Sequence, residues 1–114
     1  MSKTSELEEL FLFQLKCARL PMPLREFKFF PSRRWKSDFA WPSHKLLIEI
    51  EGGTYVNGRH NRASGYAKDC EKYNHAALQN YVVLRFVGEQ VKNGEALQFV
   101  VNFFKSRGIY VDNC

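Results

Sequence analysis

Three acidic residues stand on two short apolar stretches near the middle of the chain. Asp38 lies within WKSDFAW, and Glu49 and Glu51 alternate with isoleucines in LLIEIE. Successive side chains of a β-strand point to opposite faces, so the two glutamates share one face and the isoleucines share the other. Paired carboxylates repel each other and are costly to bury without a cation. Because all-oxygen ligands favour Mg²⁺ or Mn²⁺, the pattern predicts a metal site formed by Asp38, Glu49 and Glu51.

A basic, glycine-rich stretch and a charged helix follow these acidic residues. Residues 52–65, GGTYVNGRHNRASG, make a long polar loop, and loops of that length are usually functional or disordered. Within it, His60 is a candidate proton carrier or phosphate ligand, and the next helix brings Asp69 and Lys72 back toward the acidic strand end. With divalent cations, such groups can cleave a phosphodiester bond, because the cations activate water and neutralise the charge that develops.

Each of these residues also has a simpler explanation. Glu49 and Glu51 would equally form the solvated face of an edge strand, and Asp38 could begin a turn. Asp69 and Lys72 have the spacing of an ordinary surface pair on a helix. No single residue decides between a site and a polar surface, so the interpretation depends on their order and spacing together.

The composition predicts one basic domain. With 114 residues, the chain is long enough for a hydrophobic core but too short for two, so we expect a single domain over residues 1–114. Seventeen Lys and Arg against twelve Asp and Glu give a net charge of +5, which favours an anionic partner, most commonly nucleic acid. Four arginines are the candidate contacts to a DNA backbone: Arg33, Arg34, Arg59 and Arg62.

Nothing in the sequence predicts export or membrane insertion. The N-terminal stretch MSKTSELEEL is charged and then amphipathic, unlike a signal peptide, and no apolar run approaches the length of a membrane span. The three cysteines, odd in number and widely spaced, match neither a disulfide framework nor a zinc site. We therefore expect a protein of the reducing cytoplasm with no membrane partner.

Hydrophobic periodicity predicts an α/β fold, with a mixed central β-sheet flanked by helices in the order α-β-β-β-α-β-α. The predicted helices cover residues 5–19, 66–80 and 95–106, and the predicted strands cover residues 25–30, 35–41, 45–51 and 81–87. The last strand is almost continuously apolar, which predicts a central strand buried on both faces. The helix before it predicts a right-handed crossover and parallel pairing.

The same periodicity predicts which side chains of the first two helices face inward. In the first helix, Ser5 is the predicted N-cap, and Glu8 falls in register with the apolar stripe, so that it can point inward. The second helix has four residues available for burial: Cys70, Tyr73, Ala77 and Leu78. Three polar residues are expected close together on its surface: Asp69, Lys72 and His75.

Five short segments stand in a characteristic order along the chain. They are SDFAW (37–41), IEIEGG (48–53), GRH (58–60), DCEKYN (69–74) and VLRF (83–86). In this order they resemble the PD-(D/E)xK nuclease superfamily, and within it the small phage and bacterial endonuclease domains related to very-short-patch-repair endonucleases. The resemblance covers roughly residues 5–90. Each segment is weak alone, while five in register are fairly specific.

The resemblance implies a restriction-endonuclease-like core and a Mg²⁺-dependent endodeoxyribonuclease. Asp38 is then the central metal ligand, Glu49 is the acid of the (D/E)xK motif, and Glu51 stands where the lysine is expected. In the related subgroup an acid replaces that lysine, and a histidine and a further acid downstream contribute instead. His60 and Asp69 match those two positions.

Two positions of the implied site stay open. Lys72 is an alternative source of the missing lysine, moved from the strand onto the helix. A glutamate of the N-terminal helix often completes such sites, and helical register favours Glu8, with Glu6 and Glu9 as alternatives.

So small a domain has little surface for a long recognition sequence. We therefore expect DNA of particular structure as the substrate, such as a junction, nick, mismatch or free end, or else a partner or a homodimer. The resemblance places such a protein in a bacterial or phage-infected cell, with a role in DNA repair or recombination.

Two other functions fit parts of the sequence. The first is a non-catalytic nucleic-acid-binding module on the same fold, since the usual lysine is missing. The second is an HNH-type nuclease built on His60, Asn61 and His75, which would form a ββα hairpin around His60 and leave the EIEGG strand without a role.

Overall fold

The computed structural model describes residues 3–51 and 63–109 as a mixed α/β protein. Helices and strands follow each other along this part of the chain. They are α1 (Lys3–Cys17), β1 (Leu24–Lys28), β2 (Lys36–Trp41), β3 (Leu46–Glu51), α2 (Ala63–Leu78), β4 (Val82–Val87), α3 (Gly88–Lys92) and α4 (Glu95–Ser106). A one-turn 3-10 helix, Pro42–His44, joins β2 to β3. None of the described helices is long and apolar enough to cross a membrane.

The predicted mixed sheet with helices is confirmed, and the seven predicted elements occur in the predicted order. Periodicity does not predict α3 or the 3-10 turn, because elements of one turn are too short to show it. The helix α1 already begins at Lys3, so the prediction that Ser5 caps it is wrong. The turn into β3 ends at Lys45, which adopts a left-handed backbone with φ of 55°.

The four strands form one mixed sheet in the order β1-β2-β3-β4. Both β1 with β2 and β2 with β3 pair antiparallel, so β3 and β4 are the parallel pair of this mixed sheet. The chain between them carries α2, because parallel neighbours need a long crossover connection. Among the described strands β4 lies at the edge, which corrects the prediction of a central strand.

The burial along β4 explains why its apolar run is misleading. Phe86 is the one buried side chain of this strand, and Val87 is 39% exposed. An edge strand that contributes to the core on one side can be as apolar as a central one, since single exposed apolar residues are common on protein surfaces.

The chain divides into two compact units. The first contains the described residues 3–22, 50–51 and 86–109, and its core forms where α1, α3 and α4 pack together. The rings of Phe11 and Phe86 lie in this core, with 6.4 Å between their centroids.

Helix α1 buries a stripe of the first unit that includes Leu7, Phe11 and Leu15. Glu8 lies in the same stripe and is only 8% exposed, which confirms the prediction that it points inward. With Ser37, it is one of two buried polar or charged residues within residues 6–51 and 67–109. A carboxylate in such a place is costly to bury without a partner.

The second unit contains Pro23–Glu49 and the described residues up to Arg85. Its core lies between α2 and the face of the sheet that carries Ala40 and Leu47. Phe29 and Ala76 complete this core, and five partly buried side chains pack around it: Phe27, Phe30, Trp35, Tyr81 and Val83.

The inner face of α2 differs from the predicted one. Ala76 is its buried residue, Tyr73 is half-buried as predicted, and Leu78 is 79% exposed. Cys70 and Ala77 are exposed as well. Consecutive helix residues are about 100° apart around the axis, so a face centred on Ala76 turns its next two neighbours outward. The small side chain of Ala76 lets the helix approach the sheet closely.

Candidate active site

Three carboxylates stand in a row across the neighbouring strands β1, β2 and β3. Pairing of Leu24 with Ala40 and of Phe27 with Ser37 sets Glu26 opposite Asp38. The pairing of β2 with β3, continued by one residue, sets Asp38 opposite Glu49. Residues opposite each other on antiparallel strands have Cβ atoms about 5 Å apart. Two strand pairings therefore bring Glu26, Asp38 and Glu49 to one region of the second unit.

The side chains of Asp38 and Glu49 face α2. Ala40 and Leu47 belong to the core beneath that helix, and each lies two residues from one of the two acids. Because strand side chains alternate, residues two apart share a face. The simpler explanations for both acids are therefore wrong: Asp38 lies inside β2, and Glu49 lies on an interior strand with a side chain only 13% exposed.

Glu49 is held by two consecutive residues of α2. The hydroxyl of Tyr73 donates a hydrogen bond to Oε1 at 3.0 Å, and the ammonium Nζ of Lys72 lies 2.7 Å from Oε2. Lys72 is also largely shielded, with 15% of its side chain exposed. Oε2 itself is buried and has no well-aligned hydrogen-bond donor among the described residues. Lys72 is therefore the contact that holds this oxygen, through its charge and its short N–O distance.

The pKa of the Glu49 carboxyl is raised above its ordinary value. Burial is the main cause, because it penalises the charged form. Lys72 and Tyr73 act in the opposite direction, and the negative charge of Asp38 adds a smaller increase. The negative charge of Glu49 is therefore only partly compensated by its neighbours, even with a lysine beside it. A further cation at this place would favour its ionised form.

Tyr73 connects Glu49 to a second cation. The guanidinium of Arg85, on β4, lies 4.6 Å from the centroid of the Tyr73 ring, and Lys72 Nζ lies 5.4 Å from it. Cations over an aromatic face are attracted by its electron density. Arg85 is exposed, so it places positive charge at the surface one ring away from Glu49.

Glu26, at the other end of the row, has a strained backbone. Its φ of 51° lies in the left-handed region, which a residue with a Cβ adopts at a cost of about 1 kcal/mol or more. A carboxylate oxygen of Glu26 lies within 4.8 Å of one of Asp38, and Lys36 Nζ lies 3.2 Å from the Glu26 carboxylate.

The carboxylates of Glu26, Asp38 and Glu49 are candidate ligands for a divalent cation. The carboxylate oxygens of Glu26 and Asp38 lie within 4.8 Å of each other, and among the described residues Glu49 does not join them as a third acid at that distance. The buried Oε2 of Glu49 has acceptor capacity left over. Carboxylate oxygens alone form the donor set, which suits Mg²⁺ or Mn²⁺. The ligand types of this row suit such an ion, and Asp38 lies at the centre of the row.

The remaining predicted site residues have different positions. Arg33 is paired with Glu71, with 2.7 Å between Nη2 and Oε2, and Arg34 and Asp69 are exposed. Lys72 is paired with Glu49 on the sheet, so it does not form a surface pair with Asp69.

Several sequence predictions are not tested by these contacts. Glu8 on α1 and the half-buried Glu51 at the end of β3 belong to the first unit, and their roles stay predictions. His60, Arg59 and Arg62 lie outside the described residues. The HNH alternative depends on His60 and Asn61, which also lie outside them.

His75 is not grouped with Asp69 and Lys72 on the surface of α2, as the sequence predicted. It is half-buried against the rings of Phe30 and Trp35, with centroid distances of 4.9 Å and 5.2 Å.

Sequence reasoning missed three residues of the site: Glu26, Tyr73 and Arg85. Glu26 lies in an alternating charged and aromatic strand, and only the register with β2 reveals that it faces Asp38. Tyr73 directly follows Lys72, and its spacing suggested burial without suggesting a hydrogen bond to Glu49. Arg85 interrupts an apolar strand, which was a usable signal.

The chain was compared with protein families, curated proteins and solved structures. No protein-family model matches the chain, and neither a curated protein nor a solved structure matches it.

Proposed function

We propose that the protein is a Mg²⁺- or Mn²⁺-dependent endonuclease that hydrolyses phosphodiester bonds in DNA. The observation that carries the proposal is the ammonium of Lys72 at 2.7 Å from Glu49, with Asp38 opposite Glu49 on the neighbouring strand. Two acids from adjacent strands with a lysine beside one of them are the groups that the PD-(D/E)xK pattern requires. Here α2 supplies the lysine that the sequence lacks at position 51.

Each residue of this group has a distinct task in the proposed reaction. Asp38 and Glu49 would hold the metal ion, with Glu26 as a further oxygen ligand from β1. A bound Mg²⁺ activates water and neutralises charge on the phosphate. The ammonium of Lys72 orients the attacking water and donates hydrogen bonds to it, while Tyr73 fixes the orientation of Glu49.

The arrangement of elements supports a restriction-endonuclease-like core. An N-terminal helix, a three-stranded antiparallel meander, a crossover helix and a parallel strand occur in the order that such a core would have. The acids come from the second and third strands, and the crossover helix covers the sheet face that carries them.

The charge of the chain supports DNA as the substrate. A net charge of +5 favours a polyanion, and basic side chains that contact phosphates release counterions on binding. Affinity for DNA should therefore fall as the salt concentration rises. Arg34 and Arg85 are exposed and can contact a DNA backbone.

Cleavage of DNA by the Asp38→Ala variant tests the proposal. The substrates are supercoiled plasmid and a branched duplex, incubated with Mg²⁺, with Mn²⁺ or with EDTA. We expect the wild type to cleave only with a metal ion, and Asp38→Ala to lose at least a hundredfold in rate, since a lost metal ligand removes both water activation and charge neutralisation.

A matched control is Glu89→Gln, which removes one exposed carboxylate from α3 and should leave the rate unchanged. Cleavage that survives Asp38→Ala would refute the assigned site. DNA binding without cleavage in the wild type would favour the non-catalytic binding module instead.

A further inference from the structure

Three side chains of the second unit are stacked in a column. The rings of Phe29 and Trp35 are nearly parallel, with 18° between their planes and 6.3 Å between their centroids. On Trp35 lies the guanidinium of Arg33, with Cζ 4.2 Å from the ring centroid. Phe29 is buried, Trp35 is half-buried, and Arg33 is exposed, so the column runs from the core to the surface.

The outermost layer of this column, the Arg33 guanidinium, has a second contact besides the Trp35 ring. Glu71 of α2 accepts a hydrogen bond from Nη2 of Arg33 at 2.7 Å, which holds the guanidinium plane from one edge. The side chain of Arg33 is nevertheless 40% exposed. A planar group is therefore presented to solvent, with an aromatic ring on one side and a carboxylate at one edge.

The pairing with Glu71 makes Arg33 a poor contact for a phosphate. Its charge is already matched by a carboxylate, and a phosphate would have to displace that carboxylate or approach it against repulsion. The face of the guanidinium opposite Trp35 has no ion pair or ring contact with any residue that the structure describes. Nucleobases stack on guanidinium planes as they do on aromatic rings.

We propose that Arg33 and Trp35 form a stacking platform for an unpaired nucleobase. The inference rests on the proposed nuclease function and specifies its substrate class: DNA with single-stranded nucleotides next to the cleaved bond. Bases inside an intact duplex are stacked on their neighbours and have no free face for the platform. A base in a flap, a loop or a frayed end has one.

The platform lies near the carboxylate row. Trp35 is three residues before Asp38, and β2 begins at Lys36, so the two are about 10 Å apart along an extended chain. Trp35 packs on the core that contains Ala40 and Leu47, which is the sheet face that carries Asp38 and Glu49. A base on the platform would therefore be close to the phosphates that can reach the row.

Binding measurements in EDTA test the platform without cleavage. Fluorescence anisotropy would compare a short oligothymidine, an abasic strand of the same length and a matched duplex as probes. We expect the wild type to bind oligothymidine about tenfold more tightly than the abasic strand, because only the former has bases to stack. Equal affinity for these two strands would overturn the proposal.

The Arg33→Lys variant separates stacking from charge, because lysine keeps the positive charge and loses the plane. We expect it to bind oligothymidine about tenfold more weakly and to bind the abasic strand and the duplex unchanged. The control is Arg107→Lys, because Arg107 lies at the same 4.2 Å over the ring of Phe103 on the first unit. Equal weakening of all three probes by Arg33→Lys would show a phosphate contact and contradict the platform.

Failure of the platform and failure of the nuclease are distinguishable. The Asp38→Ala variant keeps Arg33, Trp35 and Glu71, so it should bind oligothymidine as the wild type does even when it cleaves nothing. If the wild type cleaves DNA but shows no preference for oligothymidine over the abasic strand, the platform is wrong and the nuclease assignment stands.

Discussion

Two ion pairs of the second unit connect α2 to the β1–β3 region, and both measure 2.7 Å. In one, Lys72 and Glu49 are only 15% and 13% exposed. In the other, Arg33 and Glu71 are 40% and 48% exposed. The contact distance is the same, and the surroundings of the charges differ.

This difference decides what each pair can do. Burial removes water from Glu49 and raises its pKa despite the lysine, so this carboxylate can still gain from another cation. The exposed pair is screened by water and salt and contributes little energy. We therefore assign chemistry to the shielded pair, and assign to the exposed pair the orientation of a guanidinium plane.

The largest expected effect on stability comes from Lys72→Met. This change leaves the Glu49 carboxylate shielded and without its cation, so the free energy of unfolding should fall by about 1–3 kcal/mol, somewhat below the cost for a fully buried pair. Urea denaturation at neutral pH measures it. Lys68→Met, at an exposed position of the same helix, is the control and should change stability by less than about 0.5 kcal/mol. If Lys72→Met and Lys68→Met had the same free energy of unfolding, the shielding of the Lys72–Glu49 pair would not increase its contribution to stability.

A smaller effect is expected in the pH dependence of stability. Because the pKa of Glu49 is higher in the folded state than its ordinary 4.5, the folded protein binds this proton more tightly than the unfolded chain. The protonated Glu49 carboxyl contributes its full stability to the fold below pH 4.5. This contribution is lost as the pH rises through the pKa that Glu49 has in the folded state. The free energy of unfolding of the wild type, minus that of Glu49→Gln, should therefore decrease over this interval. An increase over the same interval would mean that the pKa is lowered.

The smallest effect belongs to the exposed pair. A double-mutant cycle with Arg33→Met and Glu71→Gln should give a coupling energy of about 0–1 kcal/mol, because both charges remain hydrated. In high salt the coupling should disappear. A coupling energy above about 2 kcal/mol that persists in high salt would mean that the Arg33–Glu71 pair behaves like a shielded ion pair.

The order of elements could be predicted because the periodicity of each segment is strong. Helical periodicity also predicted the burial of one charged side chain: Glu8 is in register with Phe11 and Leu15, and it is buried. The position of β4 could not be predicted, because an apolar run does not say how many strands flank it. The inner face of α2 was also missed, since burial there depends on how closely Ala76 approaches the sheet.

The acids of the candidate site were predictable, while their partners depend on strand register and helix placement. Alternation identified Asp38 and Glu49 on their strands. The contact between Lys72 and Glu49 joins the crossover helix α2 to β3, so the sequence offered Lys72 only as one alternative. Glu26 depends on a pairing register that sequence pattern does not supply.

The catalytic role of Lys72 is tested by the rate of DNA cleavage by Lys72→Met at saturating metal and DNA. If the shielded pair is catalytic, this variant should lose about a hundredfold or more in rate at a temperature where it is still folded, because misplacing the attacking water costs that much. Lys68→Met should cleave like the wild type. Cleavage by Lys72→Met at the wild-type rate would contradict the account and leave the Lys72–Glu49 pair with a purely structural role.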